Sequence, residues 1–331
     1  MKAFVLPKYG SPDVLELREI PRPVPKDDEV LVRVHATNVQ PADWHMMRGE
    51  PYIARLMPGP LGLREPKISI LGADIAGVVE QVGGNVTEFT PGDEVYGMPK
   101  SGGFGEYACV AANELAPKPK NLSFEQAAAV PLAAGTALIG LRDQGGIRPG
   151  LRVLINGASG GVGTFAVQIA KAYDAEVTAV CGTRNVALVR SLGADHVVDY
   201  TKEDFTRGDR RYDLILDCAG GRSGAACRRV MTRKGVHVIV GGKGTRWFQP
   251  VLHITATLAA NPLVPQRMAM ADVIGYPETK KNLITLTGLI EEGTVTPVID
   301  RLYSFEEIPE AIRYSEQGHA TGKIAVTVQA A

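Results

Sequence analysis

The chain has 331 residues, enough for about two domains of ordinary size. Lys and Arg number 36 and so do Asp and Glu, so no net charge draws the chain to nucleic acid or to an anionic membrane. Hydrophobic residues make up 45% and charged residues 22%, a globular balance that excludes wholesale disorder.

Met1 opens directly onto Lys2-Ala3-Phe4-Val5-Leu6, which reads as a strand. No apolar run has the length of a signal peptide or a membrane span. The cysteines are Cys109, Cys181, Cys218 and Cys227, without a CxxC pair. That usage predicts free thiols and a reducing, cytoplasmic setting.

The first 120 or so residues carry a β pattern with frequent turns. Segment 29–36 reads as a strand with Val30, Val32 and Val34 on its apolar face, and 75–82 as another. A turn at Pro91-Gly92-Asp93 precedes a short strand at 94–97, and 104–110 and 114–117 fit further strands. From Ser123 the pattern changes. Ser123 caps an Ala-rich helix over 124–131. Strands at 152–156, 177–181, 196–200, 213–218 and 235–240 then alternate with helices at 162–173, 186–192 and 223–231. Continuously apolar strands alternating with helices predict a doubly wound parallel sheet. The tail reads as a helix over 280–292, a strand at 296–300, a helix over 305–315 and a last strand at 322–328. The predicted boundaries are 1–123 for a β-rich domain, 124–292 for the α/β domain, and 293–331 for a return to the first.

The strand at 152–156 leads into Gly157-Ala158-Ser159-Gly160-Gly161-Val162-Gly163, and a helix follows at once. Glycines there let backbone amides approach a pyrophosphate, and the helix N-terminus favours its charge. The loop predicts dinucleotide binding, although Ala158 stands where the usual fingerprint has a tight-turn glycine. The end of the second strand decides which dinucleotide. NAD sites place a carboxylate there for the ribose hydroxyls. This chain has Cys181-Gly182-Thr183-Arg184-Asn185 instead. A hydroxyl and a guanidinium suit a 2′-phosphate, which predicts NADPH. Arg184 as a solvated helix-start residue is the plainer alternative. Tyr200, ending the third strand, is placed to stack near the adenine or else packs on the surface.

Several segments together resemble the medium-chain dehydrogenase/reductase superfamily, in its zinc-free quinone oxidoreductase (zeta-crystallin-like) branch. They are Lys2-Ala3, Gly72-Ala73-Asp74-Ile75-Ala76-Gly77, Pro91-Gly92-Asp93-Glu94-Val95-Tyr96-Gly97, Gly102-Gly103-Phe104-Gly105-Glu106-Tyr107, Ala133-Ala134-Gly135-Thr136-Ala137, the Gly157–Gly163 loop, and Leu192-Gly193-Ala194-Asp195. The resemblance runs nearly end to end. It implies a GroES-like β-rich catalytic domain around a Rossmann domain, a cleft between them, hydride transfer from NADPH, and a homodimer. Zinc-binding members carry cysteines and a Gly-His-Glu where this chain has Gln40, Gly72-Ala73-Asp74 and Ala133-Ala134. Only Asp74 is a ligand type, so no metal is expected. Without a Lewis acid, alcohol oxidation is disfavoured, and reduction of a hydrophobic quinone or activated enone fits better.

The resemblance also implies roles. Gln40 stands where the branch has Asn and would orient the nicotinamide or donate to a substrate carbonyl; the alternative is a polar strand end. Asp43 and Trp44 follow in the same segment. Tyr52 lies near the position of a proton-donating Tyr in enoyl-reductase relatives, or else covers the cleft as a loop aromatic. Thr136 matches a position contacting the nicotinamide ribose or amide. Cys218-Ala219-Gly220 and Val240-Gly241-Gly242 close the fourth and fifth strands and are expected to border the cofactor crevice through backbone. His35 reads as a packed histidine and His45 as a weak acid/base candidate. His196, His237, His253 and His319 show no ligand partners at useful spacing. Segments 57–70 and 246–276 exceed the compact family core and suit either substrate choice or subunit packing. The rival readings are an enoyl-thioester reductase and an NADPH-binding sensor or adaptor with little catalysis.

Overall fold

The computed structural model describes residues 1–57, 59, 61–241, 247, 251–259, 261–273 and 276–329. The chain divides into two compact units. One comprises Met1–Leu132, Tyr276–Glu292 and Pro297–Ala331; the other comprises Ala133–Gly275 and Gly293–Thr296.

The first unit is built on the long strand Glu29–Val39. It pairs antiparallel with Ile75–Val82 along one edge. Its other edge is shared by Tyr107–Ala111 at the amino end and Lys323–Thr327 at the carboxyl end. Val30, Val32, Val34, Ile75, Val79, Val95, Val110 and Leu115 form one buried cluster. Phe4, Met47, Phe104, Ile308, Ile312 and Ile324 belong to a second. Each fully buried side chain of this kind contributes about 1.5–3 kcal/mol. The central strand runs past the expected 29–36 because Thr37, Asn38 and Val39 pair with a strand from the far end of the chain.

Other expected elements shift for local reasons. The 124–131 helix is two helices, Phe124–Ala128 and Pro131–Leu138. Ser123 Oγ caps the first by accepting from Gln126 N, and Pro131 starts the second because it has no N–H to offer a continuing turn. The 104–110 strand begins only at Tyr107. The 296–300 strand is Ile299–Ser304, a mixed polar edge with no clear alternation to reveal it. Helix Thr279–Glu291 goes with the first unit, where the predicted boundaries set it in the second. The buried Tyr96 hydroxyl donates to Leu283 O at 2.7 Å, and Asn121 Nδ2 donates to Ile290 O at 2.7 Å.

The second unit holds a parallel sheet. Its strands lie in the order His196–Asp199, Glu176–Cys181, Arg152–Asn156, Tyr212–Asp217, Met231–Ile239, Arg267–Met270. In chain order that is 3-2-1-4-5-6, which places the crevice outside the carboxyl ends of the first and fourth strands. Segment 246–276 contributes regular elements among its described residues. It supplies helix Val251–Leu258 and the sixth strand, whose Arg-Met-Ala-Met composition gives no strand signature. Segment 57–70 folds back on the first unit: Tyr9 Oη donates to Gly62 O at 2.9 Å, and Leu6 N donates to Ser69 O at 2.7 Å.

Candidate active site

The glycine loop of the second unit is shaped by contacts a side chain would destroy. Gly157 has a φ of +81°, so it is the turn glycine and Ala158 follows it fully buried. A Cβ on Gly163 would stand 2.1 Å from Gly157 O. Gly160 caps helix Gly161–Ala172, whose first internal bond runs from Thr164 N to Gly160 O at 2.9 Å. The amides of Gly161, Val162 and Gly163 precede that bond and lie at the positive end of the helix dipole. Such a cradle fits a dinucleotide pyrophosphate. Beside it, Asn185 Nδ2 donates to Ser159 Oγ at 2.9 Å.

At the end of the second strand, Gly182 leads into the short helix Thr183–Asn185, which carries Arg184. The exposed Tyr200 ring lies against Gly182: a Cβ there would sit 3.2 Å from the Tyr200 hydroxyl. A carboxylate is present after all, from the third strand. Asp199 Oδ2 accepts from Thr183 Oγ1 at 2.6 Å, and Oδ1 accepts from Thr201 N and Oγ1. These bonds, led by that from Thr183, hold Asp199 down at about 2.

The carboxyl ends of the first and fourth strands are tied by Asn156, whose Nδ2 donates to Asp217 Oδ1 at 2.7 Å and to Gly220 O at 3.0 Å. Cys218 N donates to Asn156 O, and Gly241 faces Cys218 O. Thr136 is buried in helix Pro131–Leu138. Gly242 and the side chain of His253 lie outside the described residues.

In the first unit, the end of the central strand, the start of helix Pro41–Arg48 and the start of the last strand bring together a buried polar cluster. Its members are Asn38, Gln40, Asp43, Asp74 and Lys323. Lys323 Nζ donates to Gln40 Oε1 at 2.9 Å and to Asn38 Oδ1 at 3.3 Å. Asp74 Oδ2 accepts from Asn38 Nδ2 at 2.8 Å and from Gln40 Nε2 at 3.4 Å, and Asp74 Oδ1 accepts from Leu132 N at 3.1 Å. Asp43 Oδ2 accepts from Gln40 N at 2.9 Å, capping the helix, and its Oδ1 accepts from Gly72 N at 3.2 Å. Burial pushes the Asp43 carboxyl up to about 7 and the Asp74 carboxyl up to about 6, while the Lys323 ammonium pulls both back down. Burial also pulls the Lys323 amine below its usual range. Two carboxyls and one ammonium share this enclosure, so their protonation is coupled.

Gln40 and Asp43 thus belong to one network, and both ends of the Gln40 amide are engaged within it. Tyr52 stands on the short helix Tyr52–Leu56, with the Arg55 guanidinium 4.7 Å from its ring centre. Trp44 stacks on His45 at 3.7 Å, and burial lowers the His45 imidazole. His35 stacks on Phe124 at 4.4 Å. His237 departs from the expectation of no ligand partner. Asp217 and Cys227 lie beside it, with the ligand atoms of all three within 4.8 Å of one another.

A family profile described as "Alcohol dehydrogenase GroES-like domain" matches residues 26–120, and one described as "Zinc-binding dehydrogenase" matches residues 192–326. The chain is 35% identical to the human "NAD(P)H oxidoreductase RTN4IP1, mitochondrial", over 99% of this chain and 89% of that protein. It is 33% identical to an Arabidopsis thaliana "Chloroplast envelope quinone oxidoreductase homolog", over 98% of each chain. The chain belongs to the medium-chain dehydrogenase/reductase superfamily, in its quinone oxidoreductase branch. Among solved structures of similar fold, the Coxiella burnetii quinone oxidoreductase covers 99% of both chains at a TM-score of 0.86 and 28% identity. CurK enoyl reductase covers 99% of both at a TM-score of 0.87 and 27% identity.

Gln40 and Asp74, which the resemblance implied as two of the zinc positions, are joined by a hydrogen bond here, and Lys323 Nζ donates to Gln40 Oε1. Sequence reasoning missed Asn38 and Lys323 because their partners are remote in the chain. It saw Asp74 only as a poor zinc ligand. The one local sign of Lys323 was a lysine at the head of an otherwise apolar strand.

Proposed function

We propose that this chain is an NADPH-dependent reductase of quinones and α,β-unsaturated carbonyl compounds that works without a catalytic zinc. The glycine cradle at the head of helix Gly161–Ala172 carries the proposal. The relatives supply its chemistry: an Arabidopsis thaliana protein 36% identical over 98% of this chain is named "NADPH-dependent alkenal/one oxidoreductase, chloroplastic". Bound NADPH supplies a hydride, and one proton completes the two-electron reduction to a hydroquinone or a saturated ketone.

This chain's residues then divide the work. Gly157, Ala158, Ser159, Gly160, Gly161, Val162 and Gly163 hold the pyrophosphate. Thr183 and Arg184 receive the 2′-phosphate, whose charge suits a guanidinium, beside an Asp199 carboxylate held by three hydrogen bonds. Tyr200 and Gly182 flank the adenine. Thr136 and the backbone at Cys218 and Gly241 border the nicotinamide. In the first unit the Gln40–Asp43–Asp74–Lys323 cluster is the proton reserve: a carboxyl at about 7 is matched to proton transfer at neutral pH. Gln40 bridges Lys323 and Asp74 through the two ends of its amide and so fixes their positions. A zinc ion fits poorly there, because Asp74 is the one anionic donor among the aligned positions and the Lys323 ammonium already sits on Gln40 Oε1.

All four thiols are free, which suits a reducing compartment such as the cytoplasm. Among the described residues no helix is long and apolar enough to cross a membrane. A homodimer is the assembly that the family resemblance implies.

The test is NADPH oxidation by the purified chain with an ortho-quinone. NADH, an alcohol with NADP⁺, and a crotonyl thioester are run in parallel. Fast turnover with NADPH and quinone, slow turnover with NADH, and no alcohol oxidation are expected. NADPH binding without turnover of any acceptor would make the chain a sensor or adaptor. Alcohol oxidation abolished by a chelator would refute the zinc-free reading.

A further inference from the structure

We propose that Asp217, Cys227 and His237 form a binding site for a borderline-soft divalent cation such as zinc, inside the nucleotide-binding unit and separate from the superfamily's zinc positions. The three residues stand ten apart in sequence, and the fold brings them together. Asp217 ends the fourth strand, and His237 lies on the fifth, paired through Ile215. His237 is therefore two register positions from Asp217, on the same face of the sheet. Helix Gly224–Arg229 carries Cys227 onto that face.

All three are buried, and their ligand atoms lie within 4.8 Å of one another. Their hydrogen bonding is incomplete in a way a cation would complete. Asp217 Oδ1 is satisfied by Asn156 Nδ2 and Gly220 N, but Oδ2 is buried without a hydrogen-bond partner. Both His237 nitrogens are likewise buried and unpartnered, in a side chain that is 0% exposed. Nε2 lies 3.5 Å from Asp217 Oδ2, an ion-pair separation beyond a good hydrogen bond. The surroundings are apolar: Cys227 packs with Leu154, Val180, Ile215, Val230 and Met231. A carboxylate oxygen and an imidazole left unbonded in such a setting are costly, and buried charges are normally paired or coordinate metal. Carboxylate, thiolate and imidazole are a donor set for zinc, with three protein ligands and one open position.

Binding converts the Cys227 thiol to a thiolate, which joins the metal, and its proton leaves to solvent. Burial holds the metal-free thiol up at about 12, so the cation itself drives that loss. The ion would bridge the fourth and fifth strands directly beneath the Cys218–Gly220 turn and so stiffen it.

The experiment is titration of the full-length chain, reduced and stripped by chelator, with Co²⁺ alone. One equivalent is expected to bind with a thiolate-to-cobalt charge-transfer band in the near ultraviolet, and Zn²⁺ should displace it. Cys227→Ser should abolish the band, and His237→Gln should weaken binding by at least about 10-fold. Cys218→Ser should keep the band. X-ray absorption of the unsubstituted cobalt protein should show one sulfur in the first shell, a readout that survives any failure of the variants to fold. No band in the unsubstituted chain, a band that persists in Cys227→Ser, or no sulfur scatterer would overturn the proposal. The two residues would then be a plain buried Asp–His contact.

Discussion

Replacing Lys323 by Met tests whether the polar cluster of the first unit is an electrostatic unit. The ammonium lies 2.9 Å from Gln40 Oε1, fully enclosed, and it lowers the carboxyls of both Asp43 and Asp74. Removing one partner of such a buried set costs about 3–5 kcal/mol. At about 2–4 °C per kcal/mol for a unit of this size, the melting temperature should fall by on the order of 10 °C at pH 8. The sign with pH follows from linkage. A carboxyl raised above its ordinary 3.8 favours the fold most below that value and loses the contribution as pH rises through its folded value. For Asp43 and Asp74 that window runs from about 4 to about 7. Without the ammonium both folded values climb, so the penalty should be small at pH 5 and full at pH 8. Thermal unfolding followed by circular dichroism at both pH values, on the parent, Lys323→Met, Asp74→Asn and the double variant, measures this. The double variant should lose less than the sum of the singles, by more than about 0.5 kcal/mol. Equal losses at both pH values, or strict additivity, would refute the cluster as a coupled unit.

Gly163→Ala places a Cβ 2.1 Å from Gly157 O, so the loop must open; calorimetry should show NADPH binding weakened at least about 10-fold, and unchanged affinity would move the pyrophosphate elsewhere. Arg184→Ala removes charge-assisted bonds of about 1.5–3 kcal/mol to a 2′-phosphate. It should raise KM for NADPH about 10- to 100-fold and leave NADH nearly untouched, whereas equal effects on both would make Arg184 a surface residue. Tyr52→Phe should keep quinone turnover within about 2-fold, because Phe retains the ring on which the Arg55 guanidinium lies; a loss beyond about 10-fold would make Tyr52 the proton donor.

Local pattern was enough for much of this molecule. Periodicity located the strands Ile75–Val82, Glu94–Gly97 and Arg152–Asn156 at their observed bounds, because their neighbours in sequence already dictate which face is buried. The Gly157–Gly163 loop was legible because glycine is needed wherever backbone meets backbone, and that need is written in the residue type. Tertiary structure alone decided the rest. The sixth strand, Arg267–Met270, exists because a sheet edge was there to receive it. Asp199 reached Thr183 from a neighbouring strand. Lys323 met Gln40, and His237 met Asp217 and Cys227, through pairings between distant strands. A buried charge declares its partner only once the chain has closed around it, because sequence spacing carries no information about contacts between strands far apart in the chain.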